Sequence, residues 1–326
     1  MAYSRTWRPL EITAAGLDVE PAPGGLLRRL TTAPDLPARL AKEKAIIFRG
    51  FAMTRSALGP VAAALLPEGP LRLRSTEHHP RCTLLPVNEG DPLRQPAPRL
   101  LLAAEQAATH GGAIMLTDCA EWFRSLDPVV RRTFANGICY TENLHDGLGA
   151  GETWQERFGT TDRAHVESWL DEDEVSWCWT SDGLRISYLH PASMRHPLTG
   201  DEVWQVPSPC RLPATGEPAG LPAGLVAEDE LPLSASHSDG SLIPAEVLAH
   251  IADQGALATT DLALRPGDLL LVDNILLAHG RRPFLGDRRI VLALTRRGRV
   301  SLPRHLFRKA RACFRSSSNA PPPTRR

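Results

Sequence analysis

The stretch Gly267-Asp-Leu-Leu-Leu-Val-Asp-Asn-Ile-Leu-Leu-Ala-His-Gly-Arg-Arg-Pro-Phe-Leu-Gly-Asp-Arg-Arg-Ile holds a single histidine, His279, near the end of an apolar run, and a double arginine, Arg288-Arg289, where the next apolar run begins. In an antiparallel sandwich or barrel, two neighbouring strands can point such residues into one mouth. The chemistry of the pair is coherent. A neutral imidazole suits ferrous iron, and a planar guanidinium takes a carboxylate through two parallel hydrogen bonds. By themselves the two residue types decide little, because a lone histidine in an apolar strand is more often a satisfied core residue than a ligand.

The elements that would position these groups are short. Lys44 to Gly50, KAIIFRG, reads as a buried strand closed by glycine, and Arg55 to Leu66 has helical spacing. Strands are expected over Thr83 to Val87, Arg99 to Ala104, Ala113 to Thr117, Gly137 to Glu142, Val175 to Thr180, Leu184 to Leu189, Glu202 to Val206, Asp268 to Val272 and Arg289 to Thr295. Helix starts are signalled by Asp118 with Glu121, by Asp127-Pro128 and by Thr161, and a short helix is expected over Pro244 to Ile251. Many short strands with few helices predict a mainly β, α+β fold, a sandwich or barrel with helical cladding, and not a doubly wound parallel sheet. A single domain over residues 1–303 is expected. Pro207 to Pro232, rich in Pro, Gly and Ala, reads as an irregular insert, and residues 304–326 as a basic, disordered tail.

More of the chain carries a pattern. IIFRGF at Ile46 to Phe51, Ser75-Thr-Glu, Val87-Asn-Glu, Gly111-Gly112 followed by Asp118, and Trp154-Gln-Glu-Arg-Phe-Gly-Thr-Thr-Asp come first. Arg195-His-Pro-Leu-Thr-Gly, Val203-Trp204, Asp239-Gly-Ser, Asp273-Asn274, His279-Gly-Arg, Pro283-Phe284, Gly286 and Arg288-Arg289-Ile290 follow in order. From Ala45 to Arg296 this resembles the taurine dioxygenase, clavaminate synthase and syringomycin-biosynthesis group of Fe(II), 2-oxoglutarate oxygenases. The resemblance implies a double-stranded β-helix, the cupin-like jelly roll, with flanking helices. It also implies Fe(II) and 2-oxoglutarate as cofactors, an iron held by Glu89 and His279, and Arg289, beside Arg288, as the anchor for the far carboxylate of 2-oxoglutarate.

Two positions depart from that pattern. The group holds its metal with His-x-Glu or His-x-Asp plus a distal His, whereas this chain reads Val87-Asn88-Glu89, so Val87 stands where a ligand is expected. Ile114 stands in the cosubstrate-binding position where relatives place a hydrogen-bonding Thr. Both changes put a branched apolar side chain where a polar one belongs. His237-Ser-Asp239 is literally His-x-Asp, but the Gly-Ser that follows and the helix at Pro244 read as turn and cap. His78 and His79 read as surface-turn histidines.

Three functions fit this sequence. The first is an oxidoreductase acting on an amino acid or peptide-type small molecule, free or carrier-bound, in specialised-metabolite biosynthesis. The second is a metal-independent enzyme using Glu89 as base and Arg289 as carboxylate anchor. The third is a silent binding protein. Lysine plus arginine and aspartate plus glutamate both number 37, so no global field recruits nucleic acid or an anionic membrane. There is no P-loop, no GxGxxG and no GxSxG. Neither a signal-peptide-like start nor a membrane-length apolar run is present, which predicts a cytoplasmic location. The six cysteines, without a CxxC pair, read as reduced structural thiols.

Overall fold

A computed structural model describes residues 7–14, 22–30, 35–51, 53–75, 84–90, 93, 96–147, 153–173, 175–206 and 233–295. The Pro207–Pro232 insert, the basic tail, His78, His79, Cys82, Cys210 and Cys313 lie outside them. Contacts divide the chain into two compact units, one of residues 1–125, 194–209 and 254–298, the other of residues 126–193, 210–253 and 299–326.

The first unit holds two facing sheets. Six strands run in the order β1 (Leu10–Thr13), β2 (Ala45–Arg49), β15 (Leu269–Asp273), β5 (Arg99–Gln106), β18 (Arg289–Thr295) and β3 (Leu71–Ser75). Four more run β14 (Thr259–Leu262), β7 (Ile114–Asp118), β16 (Leu277–Arg281) and β4 (Leu84–Val87). Within these two sheets β1 and β2 pair in parallel, and the other ladders are antiparallel. Two apolar clusters show what the alternation of side chains accomplishes. Ile47, Leu100, Leu102, Leu270, Val272, Ile290, Leu292 and Leu294 of the larger sheet meet Ile114, Leu116 and Leu277 of the smaller. Their neighbours Ile46, Phe48, Leu101, Ala103, Leu269, Leu271, Val291 and Ala293 face the other way. There they pack on Leu26 of α1 (Pro23–Leu30), Leu40 of α2 (Leu36–Glu43) and Leu58, Val61, Ala62 and Leu65 of α3 (Arg55–Leu65). Strands apolar on both faces, such as LLLV, are what a sheet buried on both sides requires. This is the jelly-roll arrangement with helical cladding that the sequence predicts.

The second unit contains the sheet β13 (Leu233–His237), β8 (Ile138–His145), β10 (Gly183–His190) and β9 (Ser176–Trp179). Its helices include α5 (Pro128–Thr133), α6 (Trp154–Phe158) and α7 (Arg163–Glu172). One face of this sheet carries Tyr140, Glu142, Tyr188 and His190, and the Tyr188 hydroxyl donates to Glu142 Oε1 at 2.5 Å. His190 Nδ1 lies 2.7 Å from the Pro191 carbonyl, and burial pushes its pKa down to about 4. The folded state therefore binds this proton less readily than the unfolded chain. Stability from His190 is complete above about pH 6.5 and is lost as the pH falls toward 4, by up to about 3 kcal/mol. Urea unfolding at pH 7.5 and 4.5 is expected to show the loss, and His190→Asn should flatten it; an unchanged slope in the variant would rule His190 out as the titrating group.

Several sequence expectations shift at their edges. Thr161 is not the helix start: Asp162 caps α7, accepting from Ala164 N and His165 N. Asp118 closes β7 and accepts from Ala120 N and Glu121 N at the head of α4 (Cys119–Ser125), while Asp127 accepts from Val129 N as expected. The helix expected over Pro244 to Ile251 runs longer, as α8 (Ala245–Leu257). Cys119, Cys139 and Cys178 are not in disulfides, and burial raises the Cys119 thiol to about 12, which keeps it unreactive. No described helix is long and apolar enough to cross a membrane.

Candidate active site

β16 supplies the first site residues. Leu277 packs between the two sheets, so His279 and Arg281, two and four residues on, share its inward face. Val87, the last residue of β4, is the Cα partner of His279, and residues directly opposite in an antiparallel pair project to the same side about 5 Å apart. Val87 thus points inward beside His279 and is 7% exposed. Just past the strand, Glu89 brings Oε1 to 3.8 Å from His279 Nε2, while its Oε2 accepts a hydrogen bond from Arg74 Nη2 at 2.5 Å. Burial lowers the His279 pKa; the Glu89 charge raises it and the Arg74 charge lowers it again. The imidazole is accordingly neutral at physiological pH, between a carboxylate and a guanidinium.

A buried amide fixes Glu89. Asn274, fully buried in the turn between β15 and β16, accepts from Glu89 N through Oδ1 at 2.8 Å and donates through Nδ2 to the carbonyls of Glu89 and Ala97 at 2.8 and 2.7 Å. Asn88 continues the network. Its Nδ2 donates to the Asn274 carbonyl at 2.7 Å and its Oδ1 accepts from Val206 N at 3.0 Å. Asp273 caps the same turn, accepting from Ile275 N and Leu276 N through Oδ1, and its Oδ2 lies 3.1 Å from His196 Nε2. Every backbone polar group of residue 89 is thereby held, so the carboxylate leaves the β4 end in one direction.

The two arginines at the head of β18 differ in burial. Ile290, Leu292 and Leu294 face the space between the sheets, and Arg289, just before them, pairs with Gln106. Its side chain is half exposed, with Nε 3.9 Å from Glu105 Oε2. A register irregularity between Arg289 and Ile290 sits at this point, opposite Gln106 and Ala104. Arg288 is the buried member, 8% exposed, and its guanidinium carbon lies 5.6 Å from the Phe284 ring centre. Arg281, 3% exposed, lies over the same ring at 4.7 Å. Burial and the Arg281 charge together lower the Arg288 pKa to about 10. Gly112, at φ 71°, makes the room: a Cβ there would meet Arg288 Cδ at 3.2 Å. Ile114 is the cross-strand partner of Arg281 and is buried with Leu116, Leu277 and Ile290, so the strand offers no polar side chain there.

The donors fit a metal only in part. Ligands about 2.1 Å from a common ion can lie up to about 4 Å apart, so Glu89 and His279 could share one. Val87 cannot donate, and His279 Nδ1, which a ligating imidazole ordinarily ties to a partner, is buried with no hydrogen-bond partner among the described residues. Among the described residues no cluster of three His, Cys, Asp or Glu side chains could hold an ion. The set does not complete the three-residue site. His237-x-Asp239 does not replace it: Asp239 Oδ1 accepts from Ser241 N and Ser241 Oγ in a turn, and the His237 ring lies 5.1 Å from that of Phe134.

Sequence reasoning missed Arg74, whose LRLRS strand gives no sign of reaching a carboxylate, and assigned no role to Arg281 or Asn274. The last two lay within quoted motifs and could have been found by asking which residues share the His279 face.

Two facing antiparallel sheets with a carboxylate and an imidazole meeting on the inner face of the smaller one define a jelly-roll protein of the non-haem oxygenase type. The model of the "Taurine catabolism dioxygenase TauD, TfdA family" matches residues 21–295, and the chain belongs to that family, whose chemistry is oxidoreductive. A curated relative, the dapdiamide synthesis protein DdaC of Enterobacter agglomerans, is 31% identical over 284 residues, covering 78% of this chain and 83% of the relative. Among solved structures, PvcB of Pseudomonas aeruginosa, described as an Fe, alpha-ketoglutarate dependent oxygenase from an isonitrile synthetic pathway, is similar at 14% identity and a TM-score of 0.49, covering 82% of this chain and 80% of that one. AAD-2 in complex with Mn(II) and N-oxalylglycine is similar at 13% identity and a TM-score of 0.48, covering 84% and 90%.

Proposed function

We propose that this chain is an oxidoreductase of small-molecule biosynthesis acting on an amino-acid or peptide-type substrate, with Fe(II) and 2-oxoglutarate as co-reactants and an atypical centre. The observation that carries the reading is the meeting of Glu89 and His279 beside Val87, with their spacing suited to one ion. The likeness to a dapdiamide synthesis protein supports a place in small-molecule biosynthesis. Glu89 and His279 would hold the iron, whose chemistry when bound is the activation of oxygen.

The remaining work belongs to the chain's own groups. Arg281 and Arg288, against the Phe284 ring, offer two guanidiniums to a carboxylate, and their like charges, which bear on each other, both gain when an anion sits between them. Ile114 and Val87 exclude water from the same space, which strengthens each charge interaction within it. Asn274 holds Glu89 in position.

The test is succinate formation from 2-oxoglutarate with Fe(II) in air. Slow turnover is expected of the wild type, sensitive to chelator. Val87→His should raise iron affinity by about tenfold or more, and Ile114→Thr should add about 1 kcal/mol through a hydrogen bond to the cosubstrate. No turnover by wild type, by Val87→His or by the double variant would defeat this reading.

The Arg74 contact favours a second reading, a metal-independent enzyme on the same scaffold in which the Glu89 carboxylate is the base and the neutral His279 beside it passes the proton on. Turnover indifferent to chelator and abolished by Glu89→Gln would select it.

A further inference from the structure

The two oxygens of Glu89 are divided between two partners: Oε1 faces His279 and Oε2 takes a hydrogen bond from Arg74. A metal carboxylate has its counter-charge in the ion. Here a cation supplied by the chain already occupies one oxygen, at 2.5 Å, and its charge also bears on His279. Arg74 is on β3, paired through Leu292 to β18, and its side chain is 51% exposed while that of Glu89 is 9% exposed. It reaches inward to the carboxylate from a position where nothing in the packing requires an arginine. A guanidinium cannot lose its charge at any physiological pH, so it can yield the carboxylate only by moving away. An incoming dication would meet that fixed positive charge on its carboxylate donor and Val87 in place of a third ligand.

We propose that Arg74 and a divalent cation compete for Glu89, so that Arg74 sets the metal occupancy of this centre. The inference rests on the reading of Glu89 and His279 as the metal's protein donors. It makes Arg74 a positioning residue that holds the carboxylate while no ion is bound and must swing toward solvent when one enters.

The experiment titrates the full chain with Mn(II) alone, without 2-oxoglutarate, and follows free Mn(II) by its paramagnetic resonance signal. Arg74→Gln is expected to tighten Mn(II) binding by about tenfold or more, because it removes a full charge beside the ion. Arg74→Lys keeps the charge and should stay within about threefold of wild type. Val87→His/Arg74→Gln should bind more tightly than Val87→His, which keeps the comparison measurable if the wild type binds too weakly. Equal affinities with and without Arg74, in a background where Glu89→Gln still weakens binding, would overturn the competition while leaving Glu89 and His279 as donors. Tightening by Arg74→Lys equal to that by Arg74→Gln would overturn it too, since charge would then not be the cause. If Glu89→Gln and Arg74→Gln both leave Mn(II) affinity unchanged, the donor assignment falls and the proposal with it. Thermal melting of the Arg74 variants, expected to stay close to wild type because Arg74 is half exposed, separates these outcomes from misfolding, and the Val87→His and Glu89→Gln proteins are compared at temperatures below their own melting points.

Discussion

Asn274→Leu is expected to lower the unfolding free energy by about 3–5 kcal/mol, measured by urea denaturation. The side chain is fully buried and makes hydrogen bonds to three backbone groups, Glu89 N, Glu89 O and Ala97 O. Leucine keeps nearly the same volume but leaves all three unsatisfied, each costing about 1–3 kcal/mol with partial relief from water or local movement. Because two of the three belong to residue 89, the loss is also local. The variant should show weaker ion binding at Glu89 even where it remains fully folded, whereas a destabilised protein with wild-type ion affinity would show that Asn274 serves the fold alone.

The second large effect concerns the guanidinium pair. Arg281→Leu/Arg288→Leu should lower 2-oxoglutarate affinity by about a hundredfold, on the scale of losing charge-assisted bonds to a carboxylate, while Arg289→Ala changes it by less than about twofold. Isothermal titration of the three proteins decides the matter. A large loss from Arg289→Ala with none from the pair would restore the assignment that the sequence suggested. The same pair makes a stability prediction of opposite sign. Arg281 and Arg288 are buried like charges against one ring, so the ligand-free Arg288→Leu protein should melt higher than wild type.

What the sequence could and could not disclose follows from which physical rule governs each feature. Strands apolar on both faces and closed by turn residues were readable almost to the residue, because burial on two sides leaves no other pattern; Arg289–Thr295 matches throughout and Leu269–Asp273 is displaced by one position. The pairing of Glu89 with His279 was readable because both lie in motifs. Which of the two arginines would meet a carboxylate was not readable, for the same reason that the strand was easy to find: in the continuous apolar run IVLAL nothing marks which face is inner, and moving by one residue exchanges Arg288 for Arg289. Arg74 was out of reach for a different reason. Its contact with Glu89 depends on two strands from different sheets, and no local pattern encodes that distance.

Among the described residues β3 ends the six-stranded sheet, an edge that would offer backbone groups to a passing strand. Arg72 and Arg74, exposed on either side of a half-exposed Leu73, are the charges that make such an edge unattractive to a second chain. The guanidinium that meets the Glu89 carboxylate thus also guards the edge of the sheet. Replacing Arg74 by a neutral residue would remove one of these guards as well as the partner of Glu89, so the sheet edge and the surroundings of that carboxylate are tied together at a single position of this fold.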